Sequence, residues 1–284
     1  MKNWEKIALT SVGLIGSGVG LALWYGRANW NEETERLIEK LKEQTSCIKP
    51  EKVSFNDFGK LPAPVAKYFR LVLKDGQPII KTARFTQTGN FLLNEKWIQF
   101  EATQYFSANP HAFVWDADML MNPLLNVRVR DAFVDGEGLM KAKILSLIPV
   151  MGIRGSEKLV SGALQRYLAE SVWFPTSLLP SKNLVWGEIN ENRALATLTE
   201  SGTTVSLEFR FNEAGEITEV FSPARFREVR GEFIPTPWLG RFWNYEERNG
   251  FLIPTEGEVE WQIATGNMPY WKGKITESEY EFIE

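Results

Sequence analysis

From Ala83 onward the apolar residues of this chain recur at every second position. Ile98, Phe100 and Ala102 alternate with Trp97, Gln99 and Glu101, and Phe113, Trp115, Ala117 and Met119 alternate with Val114, Asp116 and Asp118. Met140, Ala142 and Ile144 alternate with Lys141 and Lys143. Successive side chains of a strand point to opposite faces, so each run predicts a strand with one buried face. Turn signals separate the runs at Asn94-Glu95, Asn109-Pro110, Asp135-Gly136, Ser201-Gly202 and Asn249-Gly250, the last being the strongest hairpin signal in the chain. Later strands are expected over 184–190, 193–200, 203–211, 217–229, 241–248, 251–264 and 272–282.

One helix interrupts the strands. Ser156 can cap EKLVSGALQRYLAES, which places Leu159, Val160, Ala163, Leu164, Tyr167 and Leu168 on one face, and Pro175 stops it. A sheet of ten or more antiparallel strands must curl, split or close, and a concave apolar face must be covered. The helix at about 156–171 is the obvious cover. The expected fold is mainly β (α+β): a curved antiparallel half-barrel crossed by a helix, with an N-terminal transmembrane helix.

That last element rests on Ile7 to Tyr25, IALTSVGLIGSGVGLALWY, which carries no charge. Its length is close to the ~20 residues a helix needs to cross the hydrocarbon. Lys2 and Lys6 precede it, and Trp24 and Tyr25 close it with rings suited to the headgroup zone. A retained anchor is favoured over a cleaved signal, because LALWYGRAN lacks a small-residue cleavage site. The bulk of the chain is then expected on the extracytoplasmic side. Gly16 and Gly20 form a GxxxG pair, a weak signal for a homodimer. Residues 1–30 are read as the anchor and 31–80 as a helical juxtamembrane segment packing on the next domain. Residues 81–284 are read as the β domain. Within 31–80, NEETERLIEKLKEQ (Asn31–Gln44) predicts a short amphipathic helix. LPAPVAKYFRLVL (Leu61–Leu73) predicts another, with Val65, Tyr68, Phe69 and Val72 on one face.

Charge and composition exclude several functions. A net charge of −4 and a pI near 5.4 argue against nucleic-acid binding. Cys47 is the sole cysteine, so no intrachain disulfide can form, and His111 is the sole histidine. Zinc held by Cys/His clusters is thereby excluded, and no metal or cofactor is expected. Aromatic residues reach 13%, with 11 Trp. They suit a large core, a greasy cavity or an interfacial surface.

The pattern Leu61-Pro62, Pro64-Val65, Tyr68 and Phe69 ending at Gly76 resembles the start of an uncharacterised bacterial family, known as a domain of unknown function. The similarity continues through RDAFVDGEGLMKAKILSLIPV, RYLAESVWFPTSLLP, NGFLIPTEGEVEWQI and MPYWKGKI. The β–helix–β layout is also similar to the half-barrels of bacterial lipoprotein carriers of the LolA and LolB type. That resemblance implies an apolar concavity, lidded by helices, that holds acyl chains, and it implies no particular site residue here.

Arg166, Glu170 and Trp173 follow i, i+4, i+7 and could stand at the mouth of a cleft; an i,i+4 ion pair on the helix surface is the favoured reading. Asp131, Asp135 and Glu137, with Arg128 and Arg130 before them, read as a charged, solvent-facing Asp-Gly hairpin rather than a catalytic pair. His111 reads as structural. Gly152 to Lys158 reads as a loop with a helix cap, with lipid phosphate a lesser option. Phe113, Trp115, Trp173, Phe174, Trp186, Trp243, Trp261 and Trp271 line an apolar pocket or fill a core. The ligand-binding candidates are therefore Phe113, Trp115, Met119, Arg166, Glu170 and Trp173, with no catalytic residue. The expected function is a membrane-anchored, non-enzymatic binder or carrier of a lipid or other apolar ligand. The alternatives are an envelope-associated scaffold whose concavity is self-filled and, with less weight, a carboxylate-based hydrolase.

Overall fold

In the computed structural model the described residues are 3–45 and 52–283, with side chains described from Ser17 onward. The alternating sequence folds as expected into antiparallel hairpins. β1 (Ile80–Leu93), β2 (Lys96–Ala108), β3 (His111–Asn122), β4 (Leu125–Val134), β5 (Glu137–Ile144) and β6 (Ile148–Arg154) form a first meander. β7 (Leu184–Asn190), β8 (Arg193–Glu200), β9 (Thr203–Phe211), β10 (Ile217–Val229), β11 (Glu232–Arg248), β12 (Phe251–Ile263) and β13 (Gly266–Phe282) form a second. The last strand pairs with the first, Phe85 opposite Ser278, so both meanders join in one 13-stranded sheet with β1 and β13 in the middle. β6 and β7 are its two edges.

The chain must travel from one edge to the other, and it does so across the concave face. α3 (Glu157–Glu170) packs against β3, β4 and β5 on one side and β9 and β10 on the other. Ser156 caps it, its hydroxyl accepting from the Leu159 N–H at 3.2 Å. Short 3-10 helices, Ser171–Trp173 and Pro175–Leu178, bring Trp173, Phe174 and Leu178 into the core. The loop expected over Gly152 to Lys158 is corrected in part: Ile148–Arg154 pairs with β5, Gly152 opposite Lys141.

α2 (Ala63–Val72) buries Pro64, Val65, Tyr68, Phe69 and Val72, the face its spacing predicts. It closes one end of the half-barrel, where Tyr68 meets Phe211 edge-on and Lys67 bonds the Glu213 carbonyl of the β9–β10 turn.

α1 is one continuous helix, Asn3–Gln44, rather than an anchor followed by a separate helix from Asn31. Among the described residues no helix is long and apolar enough to cross a membrane, and the side chains of 7–16 lie outside them. So does the Gly16 half of the glycine pair. The C-terminal half of α1 lies on the outer face of β3 and β4, where Leu37, Ile38 and Leu41 cover Ala112, Val114, Ala132 and Val134. β3 is therefore buried on both faces, although its sequence alternates like a strand with one wet face. Burying the second face removes further apolar area from water at roughly 25 cal/mol per Å².

Gly89, Gly273 and Gly257 stand in one row across β1, β13 and β12. A Cβ at Gly89 would come within 2.1 Å of the Lys272 carbonyl oxygen, and one at Gly273 within 2.4 Å of the Trp271 ring. Glycine at both positions lets the strands coil tightly. An open groove of about 940 Å³ runs along this row and is lined mainly by outward-facing residues, including Gln99, Glu101, Trp243, Glu256 and Lys272.

Candidate functional site

All six ligand-binding candidates lie on the concave side. Phe113, Trp115 and Met119 point inward from β3, and Arg166, Glu170 and Trp173 face them from α3 and the turn after it. Arg166 sits over the rings of Phe113 and Trp115, 5.2 and 4.9 Å from their centroids. The arginine is not the surface ion pair expected from i,i+4 spacing. Its Nε donates to Glu170 Oε1 at 2.8 Å and its Nη1 to Asp131 Oδ2 at 2.7 Å, with all three side chains largely buried.

The network continues into the sheet. Gln104 Nε2 donates to the other Glu170 oxygen at 2.7 Å, Gln87 Nε2 donates to Gln104 Oε1 at 2.8 Å, and Trp115 Nε1 donates to Gln87 Oε1 at 2.9 Å. A continuous hydrogen-bonded chain thus links β4, α3, β2, β1 and β3. Burial pushes the Glu170 carboxyl above its ordinary value, against the pull of Arg166 and Gln104. Arg166 is shifted upward: burial opposes its charge, but Glu170 and Asp131 outweigh it. Two carboxylates converging on one arginine neutralise it, and their partners are occupied by the fold.

On the opposite flank Arg225 of β10 donates from Nη2 to the Gly162 carbonyl of α3 at 3.0 Å and from Nη1 to the Tyr270 hydroxyl at 3.1 Å. It lies 4.8 Å from the Trp238 ring centroid. Gln165 of α3 donates to the Ser222 hydroxyl at 3.1 Å. The helix is therefore pinned to the sheet on both sides and is not a loose lid.

Beneath it the aromatic candidates form a continuous floor. Phe100 meets Trp115 edge-on at 5.7 Å and stacks on Trp271 at 6.1 Å, and Trp271 lies 6.4 Å from Trp173. The indole nitrogens of Trp173 and Trp271 are buried without a protein partner. Phe174 and Trp261 also belong to this core. Trp186 packs on Phe209 nearer the sheet edge, while Trp243 projects outward and bonds Glu256, so it lines no interior space.

α3 covers only part of the concavity. Towards the end opposite α2 the inward positions beyond its reach are Phe91, Ile98, Val127, Val129 and Val259, all apolar or aromatic and only half-buried, with Tyr270 at their border, its hydroxyl held by Arg225. Met119 and Phe100 form the deeper wall there, since Met119 is paired with Val127 and Phe100 with Met119.

The charged hairpin departs from its expected role. Asp131 faces inward to Arg166, and Arg130, only 1% exposed, faces outward beneath α1. Arg130 Nη2 donates to the Trp30 carbonyl at 2.6 Å and Nη1 to Glu33 Oε2 at 3.1 Å, with its guanidinium 4.2 Å from the Trp30 ring centroid. The Trp30 indole donates to Asp116 at 2.8 Å. His111 is a buried latch between β3 and β8: its Nδ1 lies 2.6 Å from Glu200 Oε2, which also accepts the His111 backbone N–H at 3.1 Å.

Sequence reasoning missed Gln87, Gln104 and Arg225. The glutamines could have been found by parity, because each is a polar residue at an inward position of its strand, next to Phe85 and Phe106.

Among solved structures, the chain is similar to a LolA superfamily protein from Nitrosomonas europaea, at 10% identity and a TM-score of 0.40, covering 82% of this chain and 96% of that one. It is also similar to a DUF1329 family protein from Desulfovibrio piger, at 10% identity and a TM-score of 0.40, covering 78% and 94%. These likenesses are of coarse layout and carry no argument about ligand. No curated protein matches the sequence. A family model does match, over residues 59–280, which take in α2, the whole sheet and α3, as the motif at Leu61–Gly76 led one to expect. The chain belongs to that family, which is described as a family of unknown function (DUF6920).

Proposed function

We propose that the half-barrel binds an apolar ligand of the acyl-chain class at the open end of its concave face. The observation that carries this reading is the half-buried apolar lining that α3 leaves uncovered: Phe91, Ile98, Val127, Val129 and Val259. A contiguous apolar surface that a fold keeps within reach of solvent is a binding surface by default. The deeper candidates, Phe113, Trp115, Met119, Arg166, Glu170 and Trp173, form the wall and the rigid support of that site rather than its entrance. The function is non-enzymatic, because the polar groups nearby are committed to holding α3.

We further propose that the N-terminal part of α1 tethers the protein to a membrane. Val19, Leu21, Trp24 and Tyr25 are exposed on a helix that continues away from the sheet, and the uncharged run extends back to Ile7.

Photo-crosslinking tests the ligand reading. Full-length protein in phosphatidylcholine vesicles is irradiated with a diazirine-bearing fatty acid, and the labelled peptides are mapped. Label on β1, β2, β4 and β12 that competes with unmodified fatty acid supports the reading. Label confined to α1 contradicts it.

A further inference from the structure

Alternate hairpin turns of an antiparallel sheet fall at the same end. The β1–β2, β3–β4, β5–β6 and β12–β13 turns accordingly share the open end of the half-barrel, opposite α2; farther along the second meander the twist of the sheet breaks this rule, and Ser201 of the β8–β9 turn lies against Gly136 of the closed-end β4–β5 turn. Several exposed large apolar residues stand at this end: Trp97, Leu120, Leu124, Ile148 and Val150 lie on or beside the β1–β2, β3–β4 and β5–β6 turns. Leu124, at the tip of the β3–β4 turn, is 89% exposed. Solvent-facing hairpin tips are normally polar, so a row of such residues on three turns of one meander calls for a partner.

The course of α1 identifies that partner. Gln44 reaches the Asp135 side chain at the closed-end β4–β5 turn, Trp30 bonds Asp116 in mid-strand, and Gly26 abuts the β5–β6 turn at the open end. The abutment is tight: a Cβ at Gly26 would lie 2.5 Å from Leu147 Cδ2 and 3.2 Å from the Ser146 carbonyl oxygen. The helix therefore runs along the strands and leaves the body at the open rim. Trp24 and Tyr25, which end its uncharged run, stand within one helical turn, about 5.4 Å, of the point where it touches the rim.

We propose that the open rim docks on a lipid bilayer, with Trp97, Leu120, Leu124, Ile148 and Val150 in the headgroup zone and the mouth of the concavity facing the membrane. This rests on the tether reading above, because a spanning helix fixed to the rim at Gly26 has no linker with which to hold the rim away. Trp and Tyr favour that zone, and Trp24, Tyr25 and Trp97 mark its level. The charges beside the rim are mixed, Glu95 with Lys96 and Lys143, so the docking is apolar rather than electrostatic. An acyl chain could then pass between bilayer and concavity without crossing water.

The test uses the full-length chain with Cys47→Ser, carrying in turn Leu124→Cys, Ile148→Cys or, at the closed end on α2, Leu71→Cys. Each is labelled with an environment-sensitive nitrobenzoxadiazole group and reconstituted in phosphatidylcholine vesicles with or without brominated lipid. Flotation with the vesicles, with rim labels blue-shifted and quenched several-fold more by bromolipid than the Leu71 label, is the expected result. Flotation with rim labels as wet as that at Leu71 overturns the docking while leaving the tether. A blue shift without bromolipid quenching puts a protein on the rim and also overturns it. Failure to float overturns the tether reading and the docking with it.

Discussion

Arg166 and Asp131, 35 positions apart, meet at 2.7 Å and fasten the crossing helix to the sheet it covers. The bond matters because Arg166 is also the charge partner of Glu170, whose second oxygen holds Gln104. Removing the arginine leaves two buried carboxylates facing each other. Arg166→Met should cost about 3–5 kcal/mol, read as a lower urea midpoint. Replacing both carboxylates as well, with Asp131→Leu and Glu170→Leu, should recover much of that loss.

Trp30 fixes α1 to the outer face. It is fully buried between the helix and the guanidinium of Arg130, with its indole on Asp116. Trp30→Ala should cost about 3–5 kcal/mol of local stability. Hydrogen exchange should quicken in 27–44 and leave β10 to β12 unchanged.

The same clamp makes α1 docking sensitive to acid. Burial raises the Glu33 carboxyl, but Lys141 and Arg130 outweigh it and hold the group below its ordinary value of 4.5. A lowered carboxyl stabilises the fold fully above its unfolded value and ceases to do so as pH falls through the lowered one. Protection of the α1 amides should therefore fall as the pH drops below about 4.5. Glu33→Gln should weaken docking near neutrality and flatten that dependence.

Two strand glycines should respond in opposite ways to a methyl group. At Gly89 the added carbon would meet the Lys272 carbonyl oxygen at 2.1 Å, a backbone atom that cannot move aside without moving the sheet. Gly89→Ala should destabilise by about 1–3 kcal/mol. At Gly187 the nearest atom is 3.9 Å away. Gly187→Ala should be neutral or stabilise by up to about 1 kcal/mol, and thermal melts of both variants check the contrast.

Local rules carried the sheet. The two-residue turns with positive φ, Asp135-Gly136 and Asn249-Gly250, stood out because few residue pairs accept that backbone, and they fixed the hairpins around them. β6 escaped notice because it is a short edge strand whose outward residues are apolar too. The continuity of α1 was hidden by Asn31, which looks like a cap, although nothing there ends the helix. Membership of one spatial site was less legible. The spacing of Arg166 and Glu170 is the same on a wet helix face and on a buried one. The choice depends on Asp131 and Gln104, which only the curl of the sheet brings near. Ala112 and Val114 looked solvent-facing because the helix that covers them lies far away in sequence.

Ligand retention at the uncovered end of the concavity is open to direct measurement. Native mass spectrometry of the full-length chain in lipid nanodiscs, beside Ile98→Arg and Val129→Arg, addresses it most directly. Both positions are half-buried, so a charged side chain can reach solvent while the core keeps its packing. An acyl-class mass should be retained by the native chain at about one per protein and lost from both variants, with their melting transitions preserved. Equal lipid retention by all three chains, or none in the native chain, would contradict the ligand reading.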